Sequence, residues 1–290
     1  MRSAARETLR SSSSAASAIT RFRSIDRIFM AWILDIPTTV WTDSCARPHC
    51  PPCSARRRPC RRTPSMSTAH STKYSAIVVG AGPGLGFALA RRFGRELGEV
   101  ALIARSADRL VPLVRELQEL GIAAHALTAD AADLDGLRGT IERAVAVMPP
   151  LKALIYNAAA IQPARPLALA PKVLAAELVV DVAAPLAAAQ AVAPALEANG
   201  GGSVLFTGGG FALYPNPEMA ALSAGKAALR NLTATLAQDL APKNIDVAIV
   251  TICGYLAEEG RFAPDTVAKA YWDRHAAPAD AERPFELTYA

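Results

Sequence analysis

From residue 74 onward the chain alternates between short apolar, β-rich runs and longer stretches whose apolar residues return at helical spacing. The runs at 75–79, 100–104, 123–128, 151–156, 204–207 and 247–252 predict six strands, and 285–289 a seventh. Helices are expected at 85–97, from Ser106 through 120, from Asp133 to Pro149 and Pro150, across the alanine-rich 173–196, at 218–240 and at 264–274. The punctuation agrees: Ser106 and Asp133 are N-cap residue types, Gly121 is a C-terminal stop, and proline cannot continue a helix. Strands that are apolar throughout, separated by helices, predict an α/β fold in which a doubly wound parallel sheet is covered on both faces.

The first 65 residues break this pattern. They hold twelve arginines and no lysine against Glu7, Asp26, Asp35 and Asp43, so the chain's formal charge of +5 resides in them. The remainder carries nineteen basic and twenty-two acidic residues, which offers no electrostatic reason to expect nucleic acid as a partner. Residues 2–17 superficially resemble an organellar transit peptide, whereas 43–64 is a Cys/Pro/Arg tract with no hydrophobic period and no means of building a core. Cys45, His49, Cys50, Cys53 and Cys60 contain a single Cys-x-x-Cys pair among prolines. Structural zinc sites pair two such knuckles, so no metal is expected. Residues 1–65 therefore read as a disordered head from an over-extended reading frame, with Met66 as the native start and one domain over 70–290. The only cysteine of that domain, Cys253, suits a reducing cytosol and a cytoplasmic protein. The apolar run at 28–36 is short and interrupted by Asp35, and no membrane span is expected.

Between the first strand and its helix lies Gly80-Ala81-Gly82-Pro83-Gly84-Leu85-Gly86. Glycine-rich backbone at a helix N-terminus lets a pyrophosphate approach bare N–H groups at the positive end of the helix. The position after this strand makes Gly80, Gly82, Gly84, Leu85 and Gly86 candidates for binding a dinucleotide. The second strand ends at Arg105, where an NAD site usually carries an acid. A guanidinium instead matches a 2′-phosphate, so NADP(H) is favoured and NAD(H) remains possible.

These residues, with the order of later ones, resemble the short-chain dehydrogenase/reductase family and its single Rossmann-type domain from about Lys73 to Thr251. The loop resembles the family's Thr-Gly-x-x-x-Gly-x-Gly, with Val79 in place of Thr. The resemblance implies that Asp130 meets the adenine ring. It also implies that Asn157, in Tyr-Asn-Ala-Ala, belongs to the cofactor site, with Ala159 where the family has glycine. Lys226, in Ser-Ala-Gly-Lys, resembles the Lys of Tyr-x-x-x-Lys, which binds the nicotinamide ribose and lowers the pKa of the catalytic Tyr. Asp181 falls near the family's structural Asn, and Cys253-Gly254 takes the place of its Pro-Gly.

Two departures concern the chemistry. Leu222 stands where the proton-donating Tyr would be, and Gly209 where the catalytic Ser would be. Neither residue donates a proton or stabilises an oxyanion. Lys226 is retained as a catalytic candidate. Tyr214 and Ser223 are candidate substitutes for the missing hydroxyls, and Tyr255 and Asp181 are further groups near the expected site. The resemblance thus implies an NADP(H)-dependent oxidoreductase acting on a small carbonyl or alcohol with a non-standard proton donor, or alternatively a non-catalytic NADP(H) sensor. Association into a dimer or tetramer is implied through 218–240, where Ala220, Ala221, Ala224, Gly225, Ala227 and Ala228 would admit close helix contact. Residues 264–275 leave open a pocket cover or a subunit contact. Mass spectrometry of the native N-terminus is expected to recover no peptide from before Met66; any such peptide would refute the over-extended frame.

Overall fold

The computed structural model describes residues 73–278 and 281–290. The head expected at 1–65 and the start at Met66 lie outside the described residues. Seven strands, β1 (Tyr74–Val79), β2 (Gly98–Ala104), β3 (Ala123–Thr128), β4 (Leu151–Tyr156), β5 (Gly202–Gly209), β6 (Ile245–Ile252) and β7 (Glu286–Tyr289), form one sheet in the order β3-β2-β1-β4-β5-β6-β7. Every neighbouring pair is parallel.

The helices are α1 (Leu85–Leu97), α2 (Ala107–Glu119), α3 (Leu134–Val147), α4 (Pro171–Leu178), α5 (Ala184–Ala198), α6 (Ala220–Leu240) and α7 (Pro264–His275). Alternate residues of each inner strand feed opposite layers, which is why the strands are apolar throughout. Ile77, Val79, Leu154, Val204, Phe206 and Ile249 pack with residues of α3, α5 and α6. Ala76, Val78, Ile155, Leu205 and Val250 pack with residues of α1, α2 and α7. The chain starts in the middle of the sheet, builds outward to β3, and returns across β1 to β4. The carboxyl ends of β1 and β4 therefore flank the point where winding reverses, and the crevice of such sheets opens there.

Element boundaries differ from the sequence expectation for identifiable reasons. β5 extends from 204–207 to 202–209 because its terminal glycines are paired with Ile245 and Ile252 of β6, and ladder pairing overrides their poor strand propensity. α6 starts at Ala220 rather than 218, since the Asn216 side chain accepts from the Glu218 amide and its carbonyl from the Met219 amide, holding a turn. Asp133 caps α3 through the Gly136 amide at 3.0 Å, but Ser106 makes no side-chain cap to α2. The single helix expected at 173–196 is interrupted by a π-turn over Val179–Ala183.

The continuous run Pro171–Ala198 contains an 18-residue window of mean hydropathy 1.6 and by length and composition alone is long enough to cross a membrane, against the expectation of no span. Ala188, Val192 and Leu196 are fully buried in the layer against β4 and β5, so much of that apolarity serves the core. Residues 264–275 form α7, one face of which packs in the second layer, while Asp265, Thr266, Lys269 and Asp273 remain exposed. Tyr271 is completely buried, and Trp272 packs edge-on against Phe93 of α1 with ring centroids 5.2 Å apart.

His275, at the end of α7, packs against Phe93 and Trp272, and its Nδ1 lies 2.9 Å from the Ser203 hydroxyl. Burial, with the charges of Arg283 and Lys152 added, pushes its pKa down from 6.5 to about 4. The unfolded chain thus takes up a proton near 6.5 that the native chain refuses until about 4, and stability is lost as pH falls through that window. Urea unfolding between pH 7.5 and 4 is expected to show His275→Asn losing about 1–3 kcal/mol less than the parent over this range, despite lower stability at pH 7.5. Parallel pH profiles for the two proteins would refute the assignment.

Candidate functional site

A cavity of about 650 Å³ opens at the carboxyl ends of β1, β4, β5 and β6. Gly80, Gly82, Gly84, Leu85, Gly86, Asn157, Thr207, Leu222, Lys226 and Cys253 all contribute to its wall. The glycines of the loop divide by role. Gly80, at φ +83°, would bring a Cβ to 2.3 Å from the Ala158 amide, and a Cβ at Gly86 would lie 2.6 Å from the Gly80 carbonyl. These two let chain segments approach each other. A Cβ at Gly82 or Gly84 would meet nothing within 4 Å, so their backbone faces open space. Gly84 is also the N-cap of α1 and has no side chain to cap it. The Phe87 amide donates to the Gly82 carbonyl at 2.8 Å, which leaves the first-turn amides of Leu85 and Gly86 for an anion.

The loop is tied to the neighbouring strands by side chains. Asn157, just past β4, donates from Nδ2 to the Gly80 carbonyl at 3.0 Å, and its Oδ1 accepts from the Thr207 hydroxyl at 2.9 Å. That hydroxyl accepts in turn from the Tyr271 phenol at 2.9 Å. The Thr207 carbonyl accepts from Lys226 Nζ at 2.8 Å. One residue of β5 thereby positions Asn157, the glycine loop and the lysine of α6.

Lys226 is 6% exposed, and burial lowers its pKa from 10.5 while the nearby Asp181 carboxylate opposes the shift. Asp181 lies in the π-turn, which Tyr156 anchors by donating to the Val180 carbonyl at 2.7 Å. The Asp181 Oδ1 accepts from the Ala160 amide at 2.9 Å, while its Oδ2 is buried without a partner. Glu177, one turn earlier on α4, is buried with both carboxylate oxygens unpartnered. Burial first, and repulsion from Asp181 second, raise the Glu177 pKa above its usual 4.5. Gly225 leaves the room that Asp181 occupies, since a Cβ there would sit 2.8 Å from Oδ2.

The fold thus brings the loop glycines, Leu85, Asn157, Lys226 and Tyr214 to one cavity. It does not bring Ser223 there. The Ser223 hydroxyl accepts from the Asn216 amide at 3.1 Å and anchors the turn before α6, so it is withdrawn as a catalytic candidate. Arg105 and Asp130 lie outside the cavity wall, exposed beyond the ends of β2 and β3, on the same side of the sheet as the glycine loop. Tyr214 and Tyr255 stand at the rim, 74% and 83% exposed. Cys253, expected to be a buried strand-end residue, is half-buried in the cavity wall. Ala221 and Gly225 are buried inward and are unavailable for helix pairing, whereas Ala224 and Ala227 are exposed. Sequence reasoning missed Thr207, Tyr271 and Glu177. The first two lie 64 positions apart, and nothing local marks a pair that only strand register brings together.

The profile of the short chain dehydrogenase family matches residues 74–260. The chain is 30% identical over 174 residues to human dehydrogenase/reductase SDR family member 4, a stretch covering 59% of this chain and 62% of the human protein. Among solved structures, a short-chain dehydrogenase from Rhodopseudomonas palustris superposes with a TM-score of 0.68 at 28% identity, covering 75% of this chain and 98% of that one. A metagenomic short-chain oxidoreductase in complex with NADP superposes with a TM-score of 0.68 at 25% identity, over 75% and 96% of the two chains.

Because the native state holds Glu177 protonated to higher pH than the unfolded chain does, its contribution is intact below 4.5 and is lost as pH rises above that value. Glu177→Gln is expected to raise the melting temperature by about 2–4 °C at pH 8, with the gain vanishing below pH 4.5. A destabilised variant at pH 8 would show that the carboxylate has a partner.

Proposed function

The chain belongs to the short chain dehydrogenase family, and on that premise we propose that it is an NADP(H)-dependent oxidoreductase acting on a small carbonyl or alcohol. The observation that carries this reading is one continuous cavity joining bare helix-start backbone at Gly82 and Gly84 to the buried ammonium of Lys226. The loop fits a dinucleotide, with open space over both glycines and an uncapped helix behind them. Gly82, Gly84 and Leu85 would hold the pyrophosphate, Asp130 the adenine, Arg105 the 2′-phosphate, and Asn157 and Lys226 the nicotinamide half. When bound, NADP(H) supplies or takes up the hydride.

The proton must come from elsewhere than position 222 or 209. Leu222 is buried in the wall and has none to give, and a Cβ at Gly209 would stand 3.8 Å from the Lys226 side chain, leaving that flank open. Lys226 has three N–H groups, and one of them is spent on the Thr207 carbonyl. We assign it the proton that neutralises the developing alkoxide in the reducing direction. Its lowered pKa brings the ammonium toward the range in which a general acid works at neutral pH. Tyr214 at the rim is the second candidate donor.

The missing hydroxyls also favour a second reading, a protein that binds NADP(H) without turnover. Turnover of any carbonyl or enone that is abolished by Lys226→Ala separates the two in favour of the enzyme. The proposal further includes a cytoplasmic location, from the single cysteine of the domain, and self-association through the exposed small residues of α6. Fluorescence titration of the full chain is expected to give tighter binding of NADPH than NADH. Arg105→Asp should weaken NADPH by at least about tenfold while leaving NADH nearly unchanged. Failure to bind either nucleotide would end the oxidoreductase reading.

A further inference from the structure

Beyond the glycine loop, the cavity wall is made of Ile161, Phe211, Leu222, Ile252, Tyr255 and Leu256. Away from the mouth, much of the hydrogen-bonding capacity of its polar side chains is already committed. Both ends of the Asn157 amide are bonded, to Gly80 and Thr207. The Thr207 hydroxyl donates to Asn157 and accepts from Tyr271. Hydrogens remain on Lys226, on the Asn157 amide nitrogen beside the glycine loop, and on the phenols of Tyr214 and Tyr255 at the mouth. The two rim tyrosines are mostly exposed, and around them Ile161 and Leu256 are 62% and 46% exposed. An apolar collar of this kind at the mouth of a cavity marks a surface that some ligand covers.

We infer that the substrate is a bulky apolar ketone or enone presenting a single polar atom, and not a polyhydroxylated keto-sugar. This rests on the proposed function only in placing the carbonyl at Lys226. Lys226 is the donor placed inward of the apolar side chains and serves one acceptor oxygen, and the wall formed by Ile161, Phe211, Leu222, Ile252 and Leu256 gains by covering carbon. Each further hydroxyl set against the apolar side chains of the wall would leave water without a partner there, weakening binding by about tenfold. The flank that Gly209 leaves open beside Lys226 gives a ring system room next to its carbonyl.

The full chain is titrated calorimetrically with 2-decalone, a bicyclic ketone, and with L-sorbose, each with and without saturating NADP+, which cannot reduce either ketone, and NADPH absorbance is followed to exclude oxidation of the sugar hydroxyls. The expected result is 2-decalone binding at least tenfold tighter than L-sorbose. The double variant Tyr255→Ser, Leu256→Ser should weaken 2-decalone at least tenfold and leave NADP+ affinity unchanged, which shows that the fold is intact. L-sorbose binding as tightly as 2-decalone, neither probe binding, or a double variant that retains 2-decalone affinity would each overturn the inference. Should NADP+ itself fail to bind, the oxidoreductase reading falls, while the nucleotide-free titrations still decide between an apolar and a polyhydroxylated ligand.

Discussion

The hydrogen bonds around Thr207 are where the two halves of the sheet become one site. Its hydroxyl joins Tyr271 of α7, from one layer, to Asn157 at the end of β4, and Asn157 in turn holds the glycine loop after β1. Its carbonyl receives Lys226 of α6, from the opposite layer. Every group in this chain is buried or half-buried, so each bond left unmade would cost the desolvation of a polar group, roughly 1–3 kcal/mol. That penalty restricts how the loop, the lysine and the two helical layers can move relative to one another. It also leaves few free polar groups facing the cavity, and the same saturation that stiffens the site makes its outer wall apolar.

Behind the lysine the design is different. Asp181 and Glu177 are carboxylates withdrawn from water with three oxygens lacking partners. Burying acids in this way costs stability, and the cost is lower when one proton is retained between them. The π-turn that carries Asp181 is held by Tyr156 and by the Ala160 amide, so the acid is held in place and not merely trapped. Its charge partly offsets the burial that lowers the Lys226 pKa. With Leu222 and Gly209 in the adjoining wall, Lys226 is a buried ionisable side chain lining the cavity.

Much of this was legible from the chain alone. The alternation of apolar runs and helical periods fixed the doubly wound sheet, since only a sheet covered on both faces uses strands such as 151–156 that are apolar throughout. The glycine loop was legible because its function depends on backbone, and backbone permissiveness is written directly as glycine. The departures at 209 and 222 were visible by spacing. Less was legible where propensity competes with pairing, as at the glycine ends of β5, or where a polar residue serves packing, as with Ser223 beneath the Asn216 turn.

By itself, then, the sequence determined the layer architecture, the place of the glycine loop and the presence of Leu222 and Gly209 at their offsets from Lys226. These depend on local pattern and on residue identity at fixed offsets. Only the tertiary structure decided which polar groups are already spent. Thr207 and Tyr271 meet because the register of β5 and the packing of α7 bring them to 2.9 Å, and Gly82 differs from Gly80 in its backbone conformation and in what stands opposite its missing side chain. A hydrogen bond between distant residues is a property of their relative positions, which no local pattern encodes.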